Sequence, residues 1–198
     1  MPTYTQDYMA ANIRAWINFF KRVGWRTDEP KTVIEVGSYE GSSAVWILNN
    51  LLRAEGGKLY CIDAWAQPDE GETRFRRFQA NIAETGRADA VETLRAWSHE
   101  ALVQLLSRGV QADFIYIDGA HDALNVLRNA VMSFEMLKPG GVMILDDYLW
   151  NNPKYGGNHT LGRPKIAIDA FTTIYADALE VATMPTNVQT FIRKRKAA

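Results

Sequence analysis

Two spacings of apolar residues share this chain. Near its start, Met9, Ile13, Trp16, Ile17, Phe20 and Val23 recur at near-helical intervals, which predicts a helix over 5–23 ended by Gly24. From residue 32 onward, short apolar runs of strand length take turns with helical patterns. Runs 32–36, 58–62, 91–94, 113–117 and 142–145 read as strands, the last entered through a Pro139-Gly140-Gly141 turn. Stretches 42–53, 72–84, 98–107, 122–136 and 166–175 read as helices. Two further strands are expected at 179–184 and 188–193, joined by Pro185-Thr186-Asn187.

Strands alternating with helices predict a parallel sheet covered on both faces. A parallel crossover needs a dozen or more residues, so the last two strands, three residues apart, must pair antiparallel. The expected fold class is therefore α/β: a doubly wound, mostly parallel seven-stranded sheet with one antiparallel strand near the C-terminus. Residues 1–30 form an N-terminal helical extension and 31–198 the core of a single domain. Residues 151–165 have no periodicity and are rich in Gly and Pro; a loop of that length in a compact domain is usually functional.

Composition narrows the function classes. With 47% apolar and 23% charged residues over 198 positions, the chain can bury a large core without staples. A net charge of −1 gives no nucleic-acid footprint, and the basic run at 193–196 reads as a solvated tail. The single cysteine, Cys61, excludes an internal disulfide and lies in an apolar run that suggests a buried thiol. No apolar run has membrane-spanning length and no signal peptide is visible, so a cytoplasmic location is expected. The amphipathic N-terminal helix, outside the sheet pattern, is a candidate dimer element.

The candidate chemistry lies where strands end. The first runs through Glu35 and Val36 into Gly37-Ser38-Tyr39-Glu40-Gly41-Ser42-Ser43 and then a helix, the order of a nucleotide-binding crevice. It is not the dinucleotide fingerprint, because Tyr39 stands where a second glycine would let backbone approach a pyrophosphate. Glu35 and Glu40 would repel phosphate and suit a ligand carrying positive charge. Asp63, after the second strand, is positioned for two ribose hydroxyls. Trp97 and Ser98, after the third, could flank an adenine, or Ser98 could cap the next helix. Asp118 ends the fourth strand and Asp146-Asp147 the fifth, so three carboxylates and His121 converge at one edge if those strands are neighbours. Oxygen ligands from Asp118, Asp146 and Asp147 suit a hard cation such as Mg²⁺. His121 is a candidate general base. Neighbouring residues of a strand point to opposite faces, so Asp146 and Asp147 can share a metal only if the chain leaves the strand there.

Taken together, these residues resemble a class I S-adenosylmethionine-dependent methyltransferase, over roughly 31–193. Glu35–Ser43 resembles its first motif. F-I-Y-I-D-G-A-H at 114–121, L-K-P-G-G-V at 137–142 and L-D-D-Y at 145–148 are similar to its small-molecule O-methyltransferase branch, sugar and natural-product members included. The resemblance implies a Rossmann-like methyltransferase fold. It implies that Glu35, Gly37, Ser38, Gly41 and Ser43 line the methionine end of S-adenosylmethionine, that Asp63 holds the ribose, and that Trp97 and Ser98 sit near the adenine. Asp118 would serve cofactor, metal and catalysis, with Asp146 and Asp147 as further metal ligands and His121 as base. The partner would be a small hydroxylated molecule. Catechol-type relatives commonly have Asp-Asn where this chain has Asp146-Asp147. Two rivals remain: a nicotinamide-dependent oxidoreductase, which Tyr39 disfavours, and a non-catalytic S-adenosylmethionine-binding protein. A hydroxylase-like relative on the same fold is more remote.

Overall fold

The computed structural model describes residues 1–156, 159–182 and 188–196. Its seven strands are β1 (Thr32–Val36), β2 (Lys58–Asp63), β3 (Val91–Arg95), β4 (Ala112–Ile117), β5 (Leu137–Leu145), β6 (Leu179–Ala182) and β7 (Thr190–Lys194). They form one sheet in the order β3-β2-β1-β4-β5-β7-β6. The first five run parallel, and β7 is antiparallel to both β5 and β6. The expected architecture is therefore observed. Of the connection between the last two strands, Pro185-Thr186-Asn187 lies outside the described residues.

Six helices cover the faces. On one side lie α1 (Ile13–Arg22), α2 (Ser42–Asn50) and α3 (Gly71–Glu84); on the other lie α4 (Ser98–Ser107), α5 (Ala123–Met136) and α6 (Pro164–Ile174). Strand side chains alternate between the layers. Val33, Leu59, Phe114, Ile144 and Phe191 pack under α1, α2 and α3, whereas Ile34, Ile62, Ile115, Met143 and Ile192 pack under the other three. Glu35 and Tyr116 share the first of these faces and are register partners across β1 and β4.

Two elements differ from expectation, each for a physical reason. Helix α1 begins at Ile13 rather than at residue 5, because the preceding segment is drawn off into hydrogen bonds with α3 and the glycine turn. It ends as expected: Gly24, at φ 70°, and Trp25 donate back to Lys21 and Phe20 in a Schellman closure. The Pro139-Gly140-Gly141 turn lies inside β5 as an irregularity, where pairing with β4 jumps from Leu137 to Val142 and Gly140 takes φ 81°. The α1 residues Trp16, Phe19 and Phe20 are buried in this chain's own core. Among the described residues, no helix is long and apolar enough to cross a membrane.

Candidate active site

The strand order reverses between β1 and β4, and the crevice beyond their carboxyl ends is where α/β sheets bind ligands. Gly37 enters it at φ 94°, and a side chain there would place its Cβ 2.2 Å from the Asp118 carbonyl oxygen. Only glycine lets the two chain segments meet so closely. Gly41 caps α2 at φ 86° against the Phe78 ring, and Tyr39 itself takes φ 47°.

Glu35 is fully buried at the base of this turn. Its Oε1 accepts from the Ser43 hydroxyl at 2.6 Å, while among the described residues Oε2 and the buried Ser38 hydroxyl have no hydrogen-bond partner. Burial pushes the Glu35 carboxyl up to about 7, with the hydroxyl bond acting the other way. Glu40, expected to face a ligand, turns away from the crevice. It accepts from Thr5 N and Oγ1 at 2.6 and 2.9 Å and pairs with Arg77 of α3. Asp63 reaches across from β2, its oxygens accepting the Tyr39 and Trp65 amides at 2.9 and 2.8 Å. One lone pair on each oxygen is left for a ligand. Trp65 is core against Phe75 and Phe78, its indole N–H fixed on the Tyr39 carbonyl at 2.7 Å. Cys61 is buried, and burial pushes its thiol up, as expected for an inert side chain. Beyond β3, the Trp97 ring is more than half exposed, and the Ser98 hydroxyl donates to Asn129 on α5 rather than capping α4.

The acids after β4 and β5 form the second half. The chain leaves β5 at Leu145, and Asp147 takes φ 61°, which removes the strand alternation that would send it away from its neighbour. Its carboxylate contacts His121 Nδ1, and among the described residues none bonds the other ring nitrogen. Donor atoms of Asp118, His121 and Asp147 all lie within 4.8 Å of one another. Asp146 joins the group differently: the Tyr116 hydroxyl lies between Asp118 Oδ2, at 2.9 Å, and Asp146 Oδ2. Asp146 Oδ2 also accepts from Gln189 at 2.6 Å. The indole of Trp16 is a donor only, so its 3.0 Å bond fixes the Gln189 oxygen toward α1 and the amide N–H toward Asp146. The convergent trio is therefore Asp118, His121 and Asp147, with Asp146 adjoining through a phenol.

Burial, and then the neighbouring charges of Asp146 and Asp147, push Asp118 well above the usual carboxylate range. Asp146 is raised mainly by burial, and Tyr116 by burial and both acids. The Asp147 hydrogen bond raises His121. The start of the long loop lies beside this group: Asn152 donates to the His121 carbonyl at 3.0 Å, and the preceding Trp150 meets the imidazole edge at 6.3 Å. His159 instead accepts from Leu161 within its own turn. Tyr116 and Gln189 escaped sequence reading. Tyr116 had a signal, since it stands two residues before Asp118 and shares its side of the strand.

A glycine turn and acid-tipped strands at the switch point place the candidate site in the ligand crevice of an open α/β sheet. Residues 34–148 match the methyltransferase domain family, and the chain belongs to that family, as its motifs implied. No curated protein sequence matches the chain. Among solved structures it is similar to the O-methyltransferase from Bacillus cereus in complex with SAH, at 18% identity. That match covers 98% of this chain and 84% of the other, with a TM-score of 0.70. It is also similar to the O-methyltransferase TomG from Streptomyces achromogenes, involved in tomaymycin synthesis and solved with SAM. Identity there is 16%, coverage 98% and 92%, and the TM-score 0.69.

Proposed function

We propose that this chain transfers the methyl group of S-adenosylmethionine to a hydroxyl of a small molecule. The observation that carries the reading is the glycine turn: Gly37 packed on the Asp118 backbone beside the buried, half-satisfied carboxylate of Glu35. A ligand ammonium suits that carboxylate, whereas a dinucleotide pyrophosphate would meet Tyr39 and a buried acid. Ser38 and Ser43 line the same pocket, and Asp63 keeps lone pairs for the ribose. Trp97 and Ser98 follow the neighbouring strand, on the adenine side.

When bound, S-adenosylmethionine supplies an electrophilic sulfonium methyl, and the hydroxyl oxygen must attack it in line with the departing sulfur. His121 takes the hydroxyl proton on its other ring nitrogen, and Asp147 holds the ring and stabilises the imidazolium. Loop 151–165, whose Asn152 bonds the His121 carbonyl, selects the acceptor.

A second reading adds a metal. Carboxylates of Asp118 and Asp147, with the His121 nitrogen or an Asp146 oxygen, fit a hard divalent cation such as Mg²⁺. Such a cation would lower the pKa of the hydroxyl and orient it. The experiment is methyl transfer from labelled S-adenosylmethionine across a panel of small hydroxylated acceptors, followed by His121→Ala and excess EDTA. We expect His121→Ala to lower turnover about 100-fold with little change in cofactor affinity. Wild-type turnover of that variant would remove the base. Full activity in EDTA would remove the metal. Cofactor binding without transfer to any acceptor would favour the non-catalytic rival.

A further inference from the structure

The pocket between the glycine turn and Asp118 has a wall from outside the matched family span of 34–148. Tyr8 and Met9 close it opposite Ser38, Tyr116 and Asp118. The enclosed space is about 30 Å³, room for roughly one or two waters. The methionine end of S-adenosylmethionine needs more room than about two waters, so its entry displaces some of this lining.

The segment carrying Tyr8 is held by specific bonds. Thr3 exchanges two hydrogen bonds with Asn81 of α3, at 2.8 and 2.9 Å, and the same Asn81 amide donates to the Glu40 carbonyl at 2.8 Å. Thr5 gives its amide and its hydroxyl to the Glu40 carboxylate, and Arg77 contacts both partners. The Tyr8 ring lies edge-on to Tyr39, with centroids 5.8 Å apart. The segment is thereby tied to the turn that forms the cofactor pocket.

The clamp can open without stranding a charge. If the segment lifts, Glu40 loses Thr5 but keeps Arg77, so no buried carboxylate is left uncompensated. Tyr8 is 54% exposed and contributes little to the core, whereas Met9 is buried in the core and anchors the end of the segment. Helix α1 begins only at Ile13, so residues before it can move without unwinding a helix.

We propose that residues 1–12 are a strap over the methyl-donor pocket. Tyr8 shuts its mouth against the fixed Met9, and the Thr5–Glu40–Arg77 clamp sets how fast the cofactor enters and its demethylated product leaves. The proposal rests on the methyl-donor reading above. Its test is stopped-flow binding of S-adenosylhomocysteine to the full chain, read by tryptophan fluorescence, since Trp65 is bonded to Tyr39. Thr5→Val, which removes the hydroxyl's contacts with Glu40 and Arg77, and Tyr8→Ala, which removes the exposed half of the wall, are each expected to raise the dissociation rate about tenfold. Association should also quicken, with the melting temperature near that of the wild type. Binding by the wild type, with both rates within twofold of it in both variants, overturns the strap and leaves the methyl-donor reading standing. A lowered melting temperature with unchanged rates does the same. Absence of binding to the wild type removes the methyl-donor reading and the strap with it.

Discussion

The two edges of the sheet treat charge in opposite ways. At the amino-terminal edge, charges are matched pairwise: Lys138 with Asp113, Lys31 with Glu29, and Arg26 with Asp28. At the carboxyl edge, Glu35, Asp63, Asp118 and Asp146 are held by hydroxyls, amides and a carboxamide, and Asp147 by a histidine. Among the described residues, no Lys or Arg pairs with any of these five. Burial then drives Glu35, Asp118 and Asp146 toward protonation. Apart from Glu40, which Arg77 pairs, and Asp147, which His121 holds, the acids at this second edge have no cationic partner among the described residues, an arrangement suited to a cation that arrives from outside. A sulfonium, an ammonium and a divalent metal all answer that description.

The contrast can be broken most severely at Gly37. Gly37→Ala puts a methyl into the Asp118 backbone at a left-handed φ and should destabilise the fold by roughly 3 kcal/mol, with cofactor binding lost. Thermal melting and titration would show it; an unperturbed Tm would mean that the close approach is not required. Next comes Asp63→Ala, expected to weaken S-adenosylhomocysteine binding about 10- to 100-fold. Asp63→Asn, which keeps acceptor oxygen for Tyr39 or Trp65, separates ribose recognition from support of the turn, because only the former is lost in both variants. Unchanged affinity in both would remove the ribose role.

Glu35 sharpens the comparison through pH. Its carboxyl is raised in the folded chain from 4.5 to about 7. The folded state therefore holds the proton more tightly than the unfolded one. The resulting stability is present below about 4.5 and is lost as pH rises through about 7. A ligand ammonium favours the anion, so cofactor affinity should climb with pH across that window, and Glu35→Gln should flatten the climb. A profile that is already flat in the wild type would argue against Glu35 as the ammonium partner. The smallest effect belongs to the opposite edge. Lys138→Met breaks a part-exposed pair worth up to about 1 kcal/mol and should leave cofactor affinity unchanged. A large loss of affinity would mean that the two edges are not separate.

Much of this architecture was legible from spacing. Period-2 and period-3.6 patterns marked the seven strands and six α-helices of the described residues, though not the short 3-10 turns, and turn chemistry made the last pair antiparallel, because these signals are local. The glycine turn and the acids after strands were legible for the same reason. What escaped depends on partners far along the chain. Glu40 looked like a ligand-facing acid until Arg77 and Thr5 closed on it, and Gln189 carried no signal before Trp16 oriented it. Asp147 needed its left-handed backbone, set by the exit from β5, to meet His121. Side-chain direction after a strand end is decided by tertiary packing, which spacing does not encode.

The measurement closest to the central claim is a calorimetric titration of the full chain with S-adenosylhomocysteine and, separately, with NAD⁺. The account predicts saturable one-to-one binding of the first, weakened by Asp63→Asn, and none of the second. Binding of NAD⁺ with no response to S-adenosylhomocysteine would contradict it.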